Sequence, residues 1–449
     1  MSELRIIARH AATVLVGQLA VMSFGIADTL IAGHYSPQAL AVLALASSIY
    51  ISIYVALNGL IQALLPIWAE LHGAGRQAEV GKSVRQALYI AAGTSALGMS
   101  GLWFPDLWLS ATEVPPDLWP DVRAYLRILA LALVPSLLFR MYSTLNQSLG
   151  YPRLVTWLQA SALLVKVPLS YFLTFGAAGF EGMGVVGCAW ATLIVNTLML
   201  MAGLWLLRTQ DIYQDYLLWQ GLEKPDWPVI RRFLSLGIPA GLSIMVEVTS
   251  FTLMALFIAR LGAVALASHQ IAASLAAVLY MVPLSLGIAS SARTGYWLGA
   301  GQALKARRAA WLGIGLAIAA ALLGAAMLFF GREALARAFS SDPLVVQAAT
   351  VWLGWVALYH LTDAVQAVCA YLLRCYRITV MPLVIYAALL WGVGLYGGYR
   401  LAYQGIDWAG WPLRASVDTF WITSTAALAI VSLLFAAMVW RATKPQLVH

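Results

Sequence analysis

Long apolar runs separated by short polar connections make up most of the chain. A helix crosses the hydrocarbon core of a bilayer with about 20 consecutive, predominantly apolar residues. Twelve runs reach that length, at residues 11–33, 39–69, 86–109, 123–148, 154–178, 184–207, 233–259, 266–297, 309–331, 345–373, 380–402 and 416–440. The pattern predicts an all-α polytopic membrane protein with twelve transmembrane helices.

The connections between the runs divide the chain into two halves. Most of them are short and contain Gly or Pro, which interrupt helices. One connection, residues 208–232, is longer and rich in charged side chains, and it lies near the middle of the chain. We therefore predict an N-terminal six-helix lobe (1–207), a cytoplasmic inter-lobe linker (208–232) and a C-terminal six-helix lobe (233–449).

The composition also favours a membrane protein. Hydrophobic residues make up 62% of the 449 and charged residues 10%, whereas soluble domains hold roughly 45–50% and about 25%. Nineteen acidic and 27 basic side chains are too few to cover a soluble protein of this length. The net charge of +8 is spread between apolar runs, while nucleic-acid binding requires a clustered basic face. These numbers exclude an ordinary soluble enzyme, a disordered scaffold and a nucleic-acid module.

Basic residues flank the runs unequally. Seventeen of the 27 lie on the side of the N-terminus. Six lie on the opposite side, namely Arg123, Arg260, Arg332, Arg337, Arg400 and Arg414. The other four, Arg127, Arg140, Lys166 and Arg293, fall within runs. Because cytoplasmic loops carry the excess of Lys and Arg, we predict a multi-pass protein of the inner or plasma membrane with both termini in the cytoplasm.

The two halves share short sequences at a nearly constant offset. Ala-Leu-Ala at 39–41 recurs at 265–267, and Gly-Ala-Gly at 73–75 recurs at 299–301. Each half holds six predicted helices, an even number, so the two lobes have parallel orientations in the membrane. Parallel repeats of this kind place a binding cavity at their interface and rock for alternating access. The alternative is a channel or scaffold that merely duplicated.

Three acidic side chains, Asp28, Glu247 and Asp363, fall inside the predicted spans. An ionisable residue there costs roughly 2.5–3.5 kcal/mol even on the insertion scale, so it usually marks a functional site. Tyr359 and Gln366 share a helical face with Asp363, at i−4 and i+3. We interpret the carboxylates as groups that hold a coupling cation or take up protons, and that exchange the bound ion for substrate. The alternative is a buried salt bridge that fixes helix register.

Two basic side chains, Arg140 and Lys166, lie inside spans of the N-terminal half. They are candidates to neutralise Asp28, to attract an anionic group of a substrate, or to extend to a membrane interface. Lys166 lies at mid-span, which disfavours the last of these. Pairing within the N-terminal half, as counter-charges to Asp28, is the interpretation we favour.

The substrate cavity and the energy source can also be predicted. Aromatic, amide and flexible side chains suit promiscuous binding, and the candidates are Tyr54, Gln62, Tyr280, Met281 and Gln366. The sequence contains no H-E-x-x-H, G-x-S-x-G or G-x-x-x-x-G-K-[ST] motif. Since no P-loop is present, an ion gradient is the expected energy source. We predict that the chain is not an enzyme and needs no cofactor other than a coupling ion, Na+ or H+.

Several segments match the motifs of one transporter family. They are residues 27–33 around Asp28, residues 64–76 at the end of the second run, Gly237-Ile238-Pro239-Ala240 with Glu247, residues 269–272 and 280–284 with Arg293, and Tyr359 with Asp363. These motifs resemble the multidrug and toxic compound extrusion (MATE) family, in particular its NorM-type branch. The resemblance covers nearly the whole chain. Two features depart from the family: Thr13 stands where a proline is usual in the first helix, and the mid-membrane Arg140 and Lys166 are unusual.

The resemblance implies a function and assigns roles to the acidic residues. It implies cation-coupled export of amphipathic, often cationic drugs through a V-shaped pair of six-helix lobes. Glu247, Asp363 and Tyr359 would form the cation site of the C-terminal lobe, often for sodium, with Na+ held at Glu247 and Asp363. Asp28 would be the acid of the N-terminal lobe, linked to protonation or to substrate. The family precedent is a monomer.

We therefore predict a multidrug antiporter that couples Na+ or H+ entry to drug export across the inner membrane. Its partners would be small amphipathic or cationic compounds and the lipid bilayer, without nucleic acid. A lipid-linked saccharide flippase of related architecture is the first alternative, although Glu247 and Asp363 would repel a pyrophosphate. An intramembrane enzyme is the second alternative, and the two-lobe repeat argues against it.

Overall fold

The structure is a computed structural model that describes residues 2–106, 109, 116–177, 179–404, 406–408, 411–413 and 418–444. Residues 107, 108, 178, 416 and 417 of the predicted spans, and Arg414, lie outside the described residues. The described part is helical almost throughout, which agrees with the all-α prediction.

The helices of the first half follow one another with short connections. They are α1 (Glu3–Tyr35), α2 (Pro37–Gln62), α3 (Leu65–Gly73), α4 (Gln77–Trp103), α5 (Trp119–Ser148), α6 (Pro152–Phe175) and α7 (Val186–Thr209). One 3-10 turn, Pro116–Leu118, precedes α5, and another, Asp211–Tyr216, follows α7. Between α6 and α7, strand β1 (Gly176–Ala177) pairs antiparallel with β2 (Phe180–Glu181).

The second half has the same character. Its helices are α8 (Trp227–Ala259), α9 (Ala263–Gly299), α10 (Ala303–Phe339), α11 (Pro343–Cys375), α12 (Val380–Tyr386), a π-helical segment (Ala387–Tyr396), α13 (Gly397–Gln404) and α14 (Thr419–Ala442). Strand β3 (Ile406–Trp408) pairs antiparallel with β4 (Trp411–Leu413).

Local sequence explains where several helices begin. Ser36 caps α2, since its hydroxyl accepts from the Ala39 amide at 3.0 Å. Asp342 caps α11 in the same way, accepting from the Leu344 amide at 2.8 Å. In both helices proline occupies the first position, where its missing N–H costs nothing. The polar and proline residues that separate the apolar runs are therefore helix-start signals.

Eleven helical segments in the described part are long and apolar enough to cross a membrane, by length and composition. In this number, α2 and α3 count as one segment, and α12, the π-helical segment and α13 together count as another. Helix α4, which overlaps the predicted span 86–109, is not among the eleven. Gly, Ser and Thr residues interrupt its apolar run and lower its mean hydropathy. The fold is that of a polytopic membrane protein, as predicted.

The chain forms two compact units. Unit N comprises Thr13–Gly241, and unit C comprises Met1–Ala12 together with Leu242–His449. The division passes through α1 after Ala12 and through α8 after Gly241. Each unit has its own hydrophobic core, and fully buried aromatic side chains lie in both, Trp68 in unit N and Trp421 in unit C.

The first turns of α1 and of α8 each pack in a different unit from the rest of their helix. Ile7 and Ala11 of α1 lie in the core of unit C, while Phe233 and Leu236 of α8 lie in the core of unit N. A charged contact accompanies the α1 segment. The Nε of Arg293 donates to Glu3 Oε1 at 2.6 Å, and the Trp297 indole donates to the same oxygen at 3.1 Å.

The repeated Gly-Ala-Gly sequence builds the same turn in both units. Gly75 and Gly301 each have φ of +71°, a left-handed conformation that favours glycine after a helix. The amide of the residue that follows bonds back to the last helical turn in both cases, Arg76 to Leu71 O at 3.0 Å and Gln302 to Trp297 O at 2.9 Å. The sequence match therefore reflects a shared structural element.

The stretch between α7 and α8, residues 210–226, is bound to α4 within unit N. Arg85 forms an ion pair with Glu223, its Nε lying 2.9 Å from Oε2. Tyr89 donates to the Glu223 carbonyl at 2.8 Å, and Gln86 donates to the Lys224 carbonyl at 3.1 Å. Gly81 allows the close approach, because a Cβ there would lie 1.8 Å from the Tyr216 carbonyl oxygen. The linker thus lies fixed against unit N.

The hydrogen bonds from Arg85 hold the pKa of Glu223 at about 2, below the ordinary 4.5. The contribution of the pair is therefore complete above pH 4.5 and is lost as the pH falls through about 2. At neutral pH the pair is fully charged.

Replacing Arg85 by Met is expected to release the linker. The variant removes the ion pair with Glu223 and the bond to the Leu217 carbonyl. A glutamate-specific protease should then cleave after Glu223 about tenfold faster, as expected for the loss of one charged hydrogen-bonded contact. Arg76→Met, which removes only the exposed Arg76–Glu79 pair, is the matched control. Equal cleavage of the two variants would contradict the role assigned to Arg85.

Candidate functional site

Unit C contains a cluster of buried and half-buried polar side chains from three helices. Glu247 comes from α8, Asp363 and Gln366 from α11, and Tyr386 from the end of α12. Asp363 is 3% exposed and Gln366 is fully buried. Because α11 is a regular helix, residues three or four positions apart face the same way, and this places Tyr359, Asp363 and Gln366 together.

Gln366 connects the two carboxylates. Its Nε2 donates to Glu247 Oε1 at 3.1 Å and to Asp363 Oδ1 at 2.8 Å. A side-chain amide nitrogen carries two hydrogens, so one is available for each acid. The Oε1 of Gln366 accepts a hydrogen bond from the Tyr386 hydroxyl. Two acidic groups are thus held around a single neutral amide.

Tyr359 lies beside this cluster in an aromatic group. Its ring packs edge to face on Phe251, with centroids 5.6 Å apart, and on Trp421, with centroids 5.8 Å apart. His269 also packs against Trp421, with ring centroids 5.6 Å apart. These rings fix the position of the Tyr359 side chain next to the acids.

A cavity of about 20 Å³ adjoins Glu247. It is lined by Glu247, Ser250, Phe251, Met254, Tyr359, Leu390, Leu395 and Ser424. Leu390 and Leu395 belong to the π-helical segment, a type of helix that is frequent at functional sites. The volume suits a water molecule or a single small ion, whereas a drug-sized ligand requires roughly 300–1,000 Å³.

The third predicted acid, Asp28, lies in unit N and is paired. Lys166 Nζ donates to Asp28 Oδ1 at 2.8 Å, and the Ser170 hydroxyl donates to the same oxygen at 2.9 Å. Lys166 also donates to the Cys188 carbonyl at 3.1 Å and to the Thr192 hydroxyl at 2.9 Å. Lys166 is fully buried and Asp28 is 7% exposed. The structure therefore brings these two predicted residues together.

The second predicted base, Arg140, is not part of that pair. It lies on α5 and is 8% exposed. Within the part of the chain that the structure describes, its guanidinium makes no ion pair and no hydrogen bond, in contrast to the four acceptors around Lys166. Of the two predicted counter-charges, Lys166 alone contacts Asp28.

The five predicted substrate-cavity residues fall in different places. Tyr54 is half-buried in unit N and stacks on Tyr50 with ring centroids 5.6 Å apart. Gln62 is buried at the end of α2. Tyr280 and Met281 are half-buried on α9 in unit C, and Gln366 bonds to the acids. Their common role as a substrate cavity stays a prediction.

Sequence reasoning missed several uncharged partners of the predicted site residues. Tyr386, Ser170 and Thr192 all bond to predicted site residues, yet Ser, Thr and Tyr are ordinary residues of membrane helices. The one available signal was periodicity, since Ser170 follows Lys166 by four positions and so shares its helical face. Tyr386 had no such signal.

Comparison with known proteins identifies the family. The sequence model of the MatE family matches residues 14–172 and 239–399, which is most of the chain. The chain belongs to the MATE family. Both matched ranges include site residues, Asp28 with Arg140 and Lys166 in the first, and Glu247 with Asp363 in the second.

The similarity to individual MATE proteins is extensive. A protein of Aromatoleum aromaticum named "Probable multidrug resistance protein NorM" is 38% identical over 426 residues, which cover 95% of this chain and 91% of the relative. "Multidrug resistance protein PmpM" of Pseudomonas aeruginosa is 34% identical over 412 residues, covering 91% and 85%. The crystal structure of the eukaryotic MATE transporter AtDTX14 has a TM-score of 0.88 at 18% identity, covering 98% of this chain and 97% of that one.

These matches confirm several predictions made from the sequence. The NorM-type MATE resemblance is confirmed by the family model and by the names of the relatives. The similarity to a solved MATE structure confirms the all-α polytopic membrane fold. MATE proteins are transporters, which confirms that the chain is not an enzyme.

Proposed function

We propose that the chain exports amphipathic, often cationic drugs across the inner membrane by alternating access, in exchange for Na+ or H+. The names of its relatives, multidrug resistance proteins that match over more than 90% of the chain, support the export of drugs. Coupling to a cation is supported by the acidic cluster of unit C.

The observation that carries the coupling proposal is that Glu247 and Asp363 share one nitrogen of Gln366. The two accepting oxygens lie 3.1 and 2.8 Å from that atom, so the carboxylates are close neighbours. Two carboxylates roughly 5–6 Å apart repel each other by about 3 kcal/mol at an effective dielectric constant of about 20. Gln366 is neutral and does not cancel this repulsion. A bound proton or monovalent cation would.

The donor set around the acids favours a hard, small cation or a proton. Glu247, Ser250, Tyr359 and Ser424, which all carry side-chain oxygen atoms, are among the residues that line the cavity, and hard cations prefer oxygen ligands. Among the described residues, no cluster of three or more His, Cys, Asp or Glu side chains is present that would hold a metal ion. Two carboxylates and neutral hydroxyls suit Na+ or H+ as the transported ion.

Exchange follows if the ion and the drug favour different states of the transporter. A ligand shifts a conformational equilibrium only by its difference in affinity between the two states, and the coupling between two ligands is reciprocal. Neutralising the Glu247–Asp363 cluster removes an attraction for a cationic drug. Ion entry would therefore favour drug release, and drug binding would favour ion release.

Unit N offers a less suitable coupling group. Asp28 already accepts two hydrogen bonds, one of them from the ammonium of Lys166, so its charge is compensated without an ion. The coupling role of Asp28 stays a prediction. We also propose that the protein acts as a monomer, with both termini in the cytoplasm and no cofactor. The unequal distribution of basic residues supports the orientation.

Ethidium efflux from proteoliposomes, with Na+ and H+ gradients imposed separately, tests the proposal. We expect efflux under at least one gradient and none when both are absent. Efflux under the Na+ gradient alone would support Na+ at Glu247 and Asp363, and efflux under the H+ gradient alone would make the same acids proton carriers. Absence of efflux under either gradient, with the protein folded, would refute the antiporter and favour the lipid-linked saccharide flippase.

A further inference from the structure

We infer that Arg140 binds an anionic group, a carboxylate, of amphipathic aromatic substrates within unit N. The inference rests on the proposed export function and deepens it by assigning a residue that recognises the carboxylate of compounds that carry one beside a cationic or aromatic part. It concerns a residue outside the acidic cluster of unit C.

The Asp28–Lys166 pair of unit N is already matched without Arg140. The ammonium of Lys166 has three hydrogens and four acceptors within 3.1 Å: Asp28, Ser170, the Cys188 carbonyl and Thr192. Asp28 in turn accepts from Lys166 and Ser170. The carboxylate of Asp28 is thus committed to another base.

Arg140 is therefore a buried cation without an anion. It is 8% exposed, and its guanidinium has no ion pair or hydrogen bond among the residues that the structure describes. A guanidinium carries five N–H donors and does not deprotonate in proteins, so it cannot escape the cost of burial by losing its charge. Buried charges are normally paired. A group that arrives from outside the chain would supply the missing partner.

Polar side chains continue from Arg140 toward α2 and α7. Ser136 lies one turn before Arg140 on the same face of α5, so the two side chains are neighbours on that face. Asn196 of α7 donates to the Ser136 hydroxyl at 2.7 Å. The Tyr50 hydroxyl of α2 lies within reach of the same side chain.

An aromatic surface adjoins this polar row. The rings of Tyr50 and Tyr54 are parallel within 10°, with centroids 5.6 Å apart, and both are half-buried. A ligand with its carboxylate on Arg140 would thus have hydroxyl and amide groups nearby and a flat apolar surface for its ring system. Arg binds a planar carboxylate through two parallel N–H···O bonds. An ester of the same compound lacks that geometry and the charge.

A pair of dyes that differ at one group tests the inference. Rhodamine 110 carries a free carboxylate, and rhodamine 123 is its methyl ester. Binding of each to the full chain in nanodiscs would be measured by fluorescence anisotropy, for the wild type, Arg140→Gln, Arg140→Lys and the control Arg127→Gln, which removes an exposed base of the same helix.

We expect Arg140→Gln to weaken rhodamine 110 binding by about 10- to 100-fold, the usual effect of losing a charged hydrogen bond. Arg140→Lys should retain part of the affinity, because it keeps the charge and loses the bidentate geometry. Rhodamine 123, which is cationic, should bind to both Arg140 variants at least as tightly as it binds to the wild type. Its binding would also show that the two variants are folded. Arg127→Gln should bind both dyes normally.

The following results would overturn the inference. Equal binding of rhodamine 110 by the wild type and Arg140→Gln would remove the site. Equal loss of both dyes in Arg140→Gln and Arg140→Lys would make Arg140 a structural residue. If the wild type exports ethidium but binds rhodamine 110 no better than the Arg140→Gln variant, the proposed function stands and the inference alone fails. If the wild type exports no ethidium and binds neither dye, both fail together.

Discussion

Replacing Asp363 by Asn is expected to abolish ion-driven drug efflux while the protein still inserts and folds. Asn has the shape of Asp, and its side-chain oxygen can still accept from Gln366, which lies 2.8 Å from Asp363 Oδ1. It has no negative charge, however, so the variant neither repels Glu247 nor needs a proton or cation. Ethidium efflux from proteoliposomes under each gradient should fall to the level of protein-free vesicles.

Asp342→Asn is the matched control for this variant. Asp342 lies at the start of the same helix, where its side chain caps the amide of Leu344 at 2.8 Å. Asn caps helices about as well as Asp, so this change removes one acid from α11 without disturbing the cluster. Efflux by Asp342→Asn should equal that of the wild type. Undiminished efflux by Asp363→Asn would exclude the acidic cluster of unit C as the coupling site.

Replacing Lys166 by Met is expected to destabilise the protein severely. The substitution leaves Asp28, which is 7% exposed, with Ser170 as its remaining hydrogen-bond donor among the described contacts. Removing one partner of a buried ion pair costs about 3–5 kcal/mol, since the other charge stays buried. The melting temperature of the purified protein in detergent should fall accordingly, and the yield of folded protein with it.

The double variant Asp28→Asn with Lys166→Met tests the cause. Removing both charges should restore much of the stability lost in Lys166→Met, because no uncompensated charge remains. Asp28→Asn alone should be milder than Lys166→Met, since Lys166 keeps Ser170, the Cys188 carbonyl and Thr192 as acceptors. A double variant as unstable as Lys166→Met would show that the loss comes from packing.

Much of the fold and part of the candidate site could be predicted from the sequence. Apolar runs of membrane-spanning length follow directly from the thickness of the bilayer. Tyr359, Asp363 and Gln366 could be placed on one face because a regular helix repeats every 3.6 residues. Charges are rare within spans, so Asp28, Glu247 and Asp363 stand out wherever they occur.

Contacts between separate helices could not be predicted in the same way. Tyr386 reaches Gln366 from α12, and nothing in its own segment distinguishes it from other tyrosines. The fixing of residues 210–226 on α4 through Arg85 depends on tertiary packing. From the sequence, Arg140 and Lys166 were both candidate partners of Asp28, and only the arrangement of the helices shows that Lys166 is the one that contacts it. The packing of Ile7 in unit C also has no local signal.

Synthesis on the ribosome imposes an order on these contacts. Unit N is continuous from Thr13 to Gly241, so it has all of its residues before most of unit C exists. Glu3 must wait for Arg293, 290 positions later in the chain. At roughly 5–20 residues per second, this interval is on the order of 15–60 s. Glu3 is thus synthesised early but packs late. A change that weakens its contact with Arg293 would therefore affect unit C, which is completed last.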